Sequence, residues 1–461
     1  MCFLVYFGST YKIPLTAWYN AIENMRRKHW RKPCFSVLRR RGMTMEKQRP
    51  HFGWTLRYTL LNATYFIAFC TIHACAAVYL LANGFSNTEV GVLLAIANIL
   101  SAVLQPYVAG IIDKPGFLTN RRFILFSVMV ILLGSGILLF VPNNKFVIFP
   151  VFALIYMIQF VYQPVMTALC FEYQKAGCGI FYGLARGLGS ASFAVTAAII
   201  GGLVEKQGVT ILLYVNMAAM LLSAVLIYTF KMPKSTVSAE DSKTDSSENA
   251  LTQKAHNNIG EFARMYPAFM VFLVGTICFY FAHNMINDFM IQIIRNLGGG
   301  EKELGYANFL QAILELPVMA LIALVLKKIS SRALLTFSGV AFFIKILILV
   351  FASNMAMMYL SQSMQFFAYA IFIPAAAYYV SETMDELDQV KGQAYVTSAI
   401  TIGGVFSNLI SGVILDHFGI RPMLLTGTVV CAIGVLIGFF AMKKLPHRKS
   451  DDEFFVNKNA N

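Results

Sequence analysis

Long apolar segments alternate with short polar segments along most of this chain. Each apolar run can cross about 30 Å of hydrocarbon as a helix, which needs about 20 residues. A backbone inside a membrane must satisfy its own hydrogen bonds, so these runs are predicted to be helices. The pattern predicts an all-α membrane protein with twelve transmembrane helices, at 57–82, 88–112, 122–141, 146–170, 180–203, 209–230, 263–294, 304–326, 332–352, 356–380, 393–415 and 421–442.

The composition agrees with a membrane location. Hydrophobic residues make up 57% of the 461 residues and charged residues only 13%, whereas about a quarter of an ordinary soluble domain is charged. The eight cysteines form no C-x-x-C pair, and the sequence has no H-E-x-x-H, nucleophile elbow or phosphate loop. We therefore expect no enzymatic activity, no metal and no cofactor.

The net charge of +14 is spread over the loops and is not gathered on one soluble domain, which argues against a nucleic-acid partner. If both termini are inside the cell, the outside connections hold few basic residues, namely Lys145, Lys206, Arg295, Lys302 and Arg421. An excess of Lys and Arg on the inner side is the positive-inside pattern. The sequence thus predicts a multi-pass protein of the cell membrane with both termini in the cytoplasm.

A polar stretch divides the predicted helices six and six. Residues 233–262, whose first part is rich in Ser, Asp and Lys, are predicted to be a cytoplasmic linker between six-helix bundles at 51–232 and 263–445. A cytoplasmic tail follows at 446–461. Residues 1–50 are a basic extension with two interpretations: an untranslated segment before a start at Met43 or Met45, or a basic anchor on the membrane surface.

One short motif occurs three times: a small residue, three positions, an acid, two positions and a glycine. The copies are AGIIDKPG at 109–116, GGLVEKQG at 201–208 and GVILDHFG at 412–419. In addition, TEVGVLLAIANIL at 88–100 can be laid over KELGYANFLQAIL at 302–314. These echoes predict two six-helix repeats, with an inverted repeat nested in each half.

The segment LQPYVAGIIDKPG at 104–116 resembles helix 2 and the following loop of the major facilitator superfamily, in the oligosaccharide:proton symporter branch that includes lactose permease. The resemblance covers most of residues 50–445 and implies the major facilitator fold. Within it, Gln105 and Pro106 predict a bent or broken helix that can flex. The acid and glycine positions of the motif predict conformational hinges, at Asp113, Gly116, Asp416 and Gly419.

Further segments are similar to the sugar-binding and coupling regions of the same branch. In FYGLARGLGSASFA at 181–194, Arg186 takes the place of a sugar-binding Arg, and Phe193 that of a Trp that stacks on the sugar. Glu172 is the acid nearest to the expected partner of that Arg. Gln365 stands where the branch has a His of the proton-coupling pair. The resemblance therefore implies that these residues line a substrate site.

Two charged residues are predicted near the middle of the membrane, where each charge costs about 2.5–3.5 kcal/mol. Glu315 and Lys345 form either a buried ion pair that joins two helices or a titratable pair that couples transport to an ion. Arg186 either contacts substrate or extends to the membrane surface. His283 and Asn284, in FAHNMIND, are candidates for lining the outer part of the cavity.

The sequence as a whole favours a secondary active transporter that works by alternating access and imports a sugar or similar small polar solute together with a cation. We expect the coupling ion to be a proton, with sodium as the alternative. A transporter of a nucleoside, an aromatic acid or another organic anion is the second hypothesis, and a non-transporting membrane sensor is the third. The expected partners are a small-molecule substrate and the lipid bilayer, and we expect a monomer.

Overall fold

The computed structural model describes residues 52–112, 118–231 and 259–443. Within these ranges the chain is helical and contains no strand, which confirms the all-α prediction. The predicted extension, most of the linker, the tail and the hinge residues Asp113 and Gly116 lie outside the described residues. The predicted domain boundaries stay predictions.

Twelve long helices follow one another in the described residues. Ten are long and apolar enough to cross a membrane, the bent α1 makes eleven, and α8 has 25 residues. The helices are α1 (Phe52–Phe69, a π-helical turn Cys70–Ala74 and Ala76–Ala82), α2 (Asn87–Ile112), α3 (Asn120–Phe140), α4 (Lys145–Lys175), α5 (Tyr182–Gln207), α6 (Thr210–Thr229), α7 (Pro267–Asp288, continued by Met290–Asn296), α8 (Glu301–Val325), α9 (Ser331–Val350), α10 (Met355–Ser363, a 3-10 turn Met364–Phe366 and Tyr369–Thr383), α11 (Glu386–Phe418) and α12 (Ile420–Lys443). A short helix, Ile259–Met265, precedes α7.

Polar residues set where several of these helices begin. The side chains of Thr119, Asn144, Ser330 and Asn354 each accept a hydrogen bond from a backbone N–H in the first turn of α3, α4, α9 and α10. The first backbone N–H groups of a helix have no partner within the helix, so such caps satisfy them. The polar breaks between the apolar runs thus define the helix starts locally.

The same helix pairings occur in the first half, α1–α6, and in the second half, α7–α12. In the first half α1 packs against α5 and α6, α3 packs against α4 and α6, and α2 packs against α4. In the second half α7 packs against α11 and α12, α9 packs against α10 and α12, and α8 packs against α10. Adding six to each helix number converts one set into the other, as expected for two six-helix repeats.

Contacts between the halves are concentrated in two helix pairs, α5 with α8 and α2 with α11. We call these pairs the two seams. Both are tight where α5 and α11 end and where α2 and α8 begin, and we call this end of the bundle the closed end. A Cβ built on Gly201 would lie 2.0 Å from the carbonyl oxygen of Glu301, and one on Gly412 would lie 2.5 Å from that of Asn87. The two halves therefore meet backbone to backbone, as small residues allow in membrane proteins.

Three helices are interrupted, and α2 is not among them. α1 bends by 50° after its π-helical turn, α7 breaks at Phe289, and α10 contains a 3-10 turn. By contrast, α2 continues through Gln105 and Pro106 to Ile112, so the helix is not broken there. Pro106 is exposed and Gln105 donates a hydrogen bond to the Phe160 carbonyl of α4 at 3.3 Å. Interrupted helices often mark binding sites in transporters.

Candidate functional site

A chain of three polar side chains lies inside the second half. The Nζ atom of Lys345 on α9 donates a hydrogen bond to Oε1 of Gln365 at 2.8 Å. The Nε2 atom of Gln365 in turn donates to Oε1 of Glu315 on α8 at 2.9 Å. Lys345 is fully buried, Gln365 nearly so and Glu315 half-buried. The expected pair of Glu315 and Lys345 is therefore joined through Gln365, and no direct ion pair between the two occurs in the described residues.

The interruption of α10 explains why Gln365 can bridge these groups. Gln365 lies in the 3-10 turn between the two parts of α10. Ser361, one turn earlier, donates a hydrogen bond to the backbone carbonyl of Lys345 at 2.7 Å. Both contacts hold α10 against α9 beside the lysine. A buried charge is tolerated when it is hydrogen-bonded in this way.

Arg186 approaches the same region from the first half. Its guanidinium lies 4.4 Å from the centre of the Phe66 ring on α1, a cation–π distance. Its Nη1 atom donates to Oγ of Ser190 at 2.8 Å. Since Ser190 is one turn further into α5, the side chain points toward the membrane interior and not back to the surface. The remaining N–H groups of Arg186 have no hydrogen-bond partner in the part of the chain that the structure describes.

The central site brings charges from both halves together. Arg186 and Lys345 both lie close enough to Glu315 to interact with it electrostatically. Two basic side chains, Arg186 and Lys345, and one acid, Glu315, therefore surround a region between the halves. The amide of Gln365 lies beside them. An arginine fork and an amide can bind a carboxylate or adjacent hydroxyls.

Phe193 belongs to an aromatic cluster on the first-half side of the site. Its ring lies 6.4 Å from that of Phe69, and Phe69 stacks on His73 at 3.9 Å. His73 lies in the π-helical turn of α1 and also contacts Tyr156 and Phe160 of α4. Such flat apolar faces can pack against a sugar ring or an aromatic ring.

His283 and Asn284 lie in the second half, toward the closed end. His283 is buried, its Nε2 atom lies 2.9 Å from Nδ2 of Asn287, and its ring stacks on Tyr369 at 5.2 Å. Asn284 is half-buried and faces Gly404 of α11, whose missing Cβ makes room for the amide. Further amides continue this network: Asn287 accepts a hydrogen bond from Gln311 at 3.3 Å, and Gln311 donates to Gln362.

Glu172 is not part of the central site. Its Oε2 atom accepts a hydrogen bond from Nδ2 of Asn120 at 2.9 Å, at the start of α3. Glu172 is only three residues from the end of α4, so it lies far from the middle of that helix. Among the described acids, the one that interacts electrostatically with Arg186 is Glu315, and the substrate-site role of Glu172 stays a prediction.

The repeated motif has a clear structural role at the closed end. Asp416 accepts hydrogen bonds from the backbone N–H groups of Asn87 and Thr88, at 3.1 and 2.7 Å, and from both of their side chains, at 2.8 and 2.6 Å. Glu205 accepts one from the backbone N–H of Lys302 at 2.9 Å. Each acid therefore caps the N-terminus of a helix in the other half, where the helix dipole favours negative charge.

The glycine that ends each copy lets the helix stop immediately after the acid. Gly208 has φ 80° and ψ 174°, and Gly419 has φ 81° and ψ −170°. Essentially only glycine adopts this backbone region. The small residue of each copy, Gly201 or Gly412, lies at the backbone contact described above. Each of the two described copies at the closed end therefore builds one seam, with its small residue, its acid and its glycine.

This geometry, two six-helix repeats around a charged central site with one sealed end, defines a membrane transporter of the major facilitator type. The profile of the MFS_1 like family matches residues 58–426, and the chain belongs to this family. No curated protein sequence matches the chain significantly.

Solved structures of transporters share the fold. The nucleoside transporter NupG superimposes with a TM-score of 0.71 at 13% identity, over 85% of this chain and 100% of that one. An autoinhibited POT family peptide transporter superimposes with a TM-score of 0.66 at 9% sequence identity, over 86% of this chain and 98% of that one. A bacterial homologue of the human lysosomal transporter Spinster, in an inward-facing and unoccupied conformation, superimposes with a TM-score of 0.62 at 13% sequence identity. The match covers 85% of this chain and 96% of that one. These likenesses confirm the predicted fold class.

Proposed function

We propose that this protein imports a small polar solute by alternating access, coupled to protons, with the central site as its binding site. The feature that supports this most directly is that Arg186 from the first half lies within electrostatic range of Glu315 from the second half, while the seams close one end of the bundle. A solute held between the halves would contact both, so its binding energy could favour one arrangement of the halves over the other.

We infer the direction of this arrangement from the predicted topology. If the termini are cytoplasmic, as the Lys and Arg distribution predicts, then α2 and α8 begin on the outside and the closed end faces outward. The conformation described here is then open toward the cytoplasm of a cell membrane protein. Substrate would leave the central site on that side.

The chemistry of the site favours a hydroxylated or carboxylated solute with a ring. Arg186, Gln365 and Glu315 offer donors and acceptors, and the cluster around Phe193 offers a flat apolar face. A sugar, as in the lactose permease-like branch, is the first candidate. A nucleoside or an aromatic acid would use the same groups, and NupG, a nucleoside transporter, shares the fold.

A thermal-shift screen of the purified protein against sugars, nucleosides and aromatic acids tests the solute class. A ligand at 100 times its dissociation constant stabilises the folded protein by about 2.7 kcal/mol. Arg186→Lys keeps the charge but loses the planar fork, so it should weaken binding of the hit about tenfold, or about 1.4 kcal/mol. Binding unchanged in this variant would contradict the assignment of Arg186.

Coupling is tested with Glu315→Gln in reconstituted vesicles, using the hit from the screen. We expect proton-driven accumulation to be lost while exchange across the membrane continues, because Gln cannot carry a proton. The matched control is Glu172→Gln, an acid outside the site that bonds to the side chain of Asn120 at the start of α3. If the Glu315→Gln protein still accumulates substrate in a proton-dependent way, Glu315 does not couple transport to protons. If uptake by the wild type requires sodium, the coupling ion is sodium and not the proton. Substrate binding without uptake would instead indicate a sensor.

A further inference from the structure

Asp288 is a carboxylic acid that the central site does not use. It is the last residue of the first part of α7, next to the break at Phe289, and it is half-buried. No Lys or Arg among the described residues forms a salt bridge with it. The end of a helix carries partial negative charge from its free carbonyl groups. An ionised carboxylate is therefore poorly placed here.

Asn408 of α11 lies beside this acid. Asn408 is fully buried, and neither Nδ2 nor Oδ1 has a hydrogen-bond partner among the described residues. An amide needs both a donor and an acceptor opposite it. A protonated carboxyl supplies both, because its O–H donates to Oδ1 and its C=O accepts from Nδ2. A carboxylate can only accept, and would leave Oδ1 without a partner.

The other titratable groups near Asp288 do not neutralise its charge. Tyr156 of α4 interacts with it electrostatically, but a tyrosine is uncharged at neutral pH. On the neighbouring helices the charged or titratable groups have other partners or other surroundings: His283 contacts Asn287, Glu315 and Lys345 bond to Gln365, Arg295 pairs with Glu301, Glu89 pairs with Lys145, Asp416 caps α2, and His417 and Arg421 are exposed. Arg332, Asp388 and Lys391 are at the opposite ends of their helices.

The pair of Asp288 and Asn408 lies directly beneath the α2–α11 seam. A Cβ built on Gly91 of α2 would lie 2.1 Å from the backbone oxygen of Asn408, so α2 covers this part of α11. Gln292, one turn beyond Asp288, donates to Oδ1 of Asn87 at 2.8 Å. Separation of α2 from α11 would expose Asn408, and more of Asp288, to water.

We propose that Asp288 holds a proton while the closed end is shut and releases it when that end opens. On opening, the O–H bond of Asp288 breaks, the proton passes to water, and water hydrates the carboxylate. The consequence for transport rests on the proposed function: Asp288 becomes a second proton-binding group, and its protonation is linked to the state of the seams. A neutral Asp288 favours the shut seam and an ionised one disfavours it.

Dicyclohexylcarbodiimide tests the first part without any substrate, because this apolar reagent modifies protonated carboxyls in apolar surroundings. The full-length protein, purified at neutral pH, is treated and digested, and mass spectrometry quantifies each adduct. We expect modification of Asp288 at about ten times the level of Asp416 and Glu205, which are exposed acids of the closed end. Equal modification of the three would overturn the proposal.

A pair of adjacent glycines tests the link to the seam. Gly201→Val should force the α5–α8 seam apart, whereas the space around Gly202 is free for 4 Å, so Gly202→Val is the matched control. We expect Asp288 modification to fall about fivefold in Gly201→Val and to stay within about twofold in the control. Equal modification in both would show that opening does not release the proton.

If Gly201→Val does not fold, Asp416→Asn, which weakens only a cap, is used with the same readout and should lower modification less. Proton-driven accumulation by the wild type is measured separately. Its absence would contradict the proposed coupling while the Asp288 adduct still decides this inference. Conversely, accumulation that depends on Glu315 together with an unmodified Asp288 would overturn this inference alone.

Discussion

The same motif lies in two different environments in this molecule. At the closed end, Gly201 and Gly412 are packed against the backbone of the opposite half, and their acids cap α8 and α2. At the other end of α2, the small residue of the first copy, Ala109, is exposed, and a Cβ on its neighbour Gly110 would meet nothing within 4 Å. The small residue of the motif is therefore packed at the closed end and exposed at the other end of α2.

This difference shows what the motif encodes. It provides a helix end that can approach another helix closely and an acid that can cap that other helix. It also provides a glycine at which the first helix ends. Which end is sealed depends on how the two halves are arranged, and the proposed alternating access requires that both ends are not open together. The comparison can be tested by changing each part of the motif at one end and its counterpart elsewhere.

The largest effect is expected from a side chain placed in the seam. Gly412→Val should destabilise the closed end by about 3 kcal/mol, because the new Cβ would lie 2.5 Å from the Asn87 carbonyl oxygen. Gly110→Val, at the unpacked end of α2, is the control. Spin labels at Ser86→Cys and His417→Cys should show a new, longer distance only in Gly412→Val. The same distances in both variants would contradict the tight packing assigned to Gly412.

A smaller effect is expected at the glycine that ends α11. Gly419→Ala places a Cβ on a residue with φ 81°, which costs about 1–2 kcal/mol. Gly110→Ala has an ordinary helical backbone and should be neutral or slightly stabilising. The measurement is the thermal unfolding temperature of each purified variant. Equal temperatures would show that the conformation of Gly419 is not required.

The two acids should differ from each other. Asp416→Asn weakens a cap that accepts four hydrogen bonds, whereas Glu205→Gln weakens one that accepts a single bond. We expect a loss of about 1 kcal/mol for the first and less for the second, by analogy with helix caps. The fraction of molecules with a separated seam, read from the same spin-label distance, should rank them in this order. The reverse order would mean that the α5–α8 seam dominates closure.

The smallest effect is expected from an ion pair that does not cross between the halves. Lys145 and Glu89 are 2.6 Å apart, with side chains 41% and 42% exposed, and both belong to the first half. Lys145→Ala should therefore change stability by less than about 1 kcal/mol and leave the spin-label distance unchanged. A shift in that distance would show that this pair also supports the seam.

The sequence by itself determined the helices and the composition of the interior. Periodicity and length are local properties, so apolar runs of sufficient length had to become helices, and the motif had to end three of the runs with an acid and a glycine. The sequence also indicated that Arg186, Glu315 and Lys345 lie in the membrane, because charges there are rare and must have a function or a partner.

Only the tertiary structure decided which of these groups meet. Gln365 separates Lys345 from Glu315 because α10 is interrupted at that residue, and no local pattern announces a 3-10 turn there. Pro106 predicted a break in α2, yet the helix tolerates the proline, and the interruptions occur in α1, α7 and α10 instead. Glu172 bonds to the side chain of Asn120, and Arg186 with Glu315 and Asp288 with Asn408 are neighbours more than 100 positions apart. Such contacts depend on how helices pack across the whole bundle, which neighbouring residues in the chain do not specify.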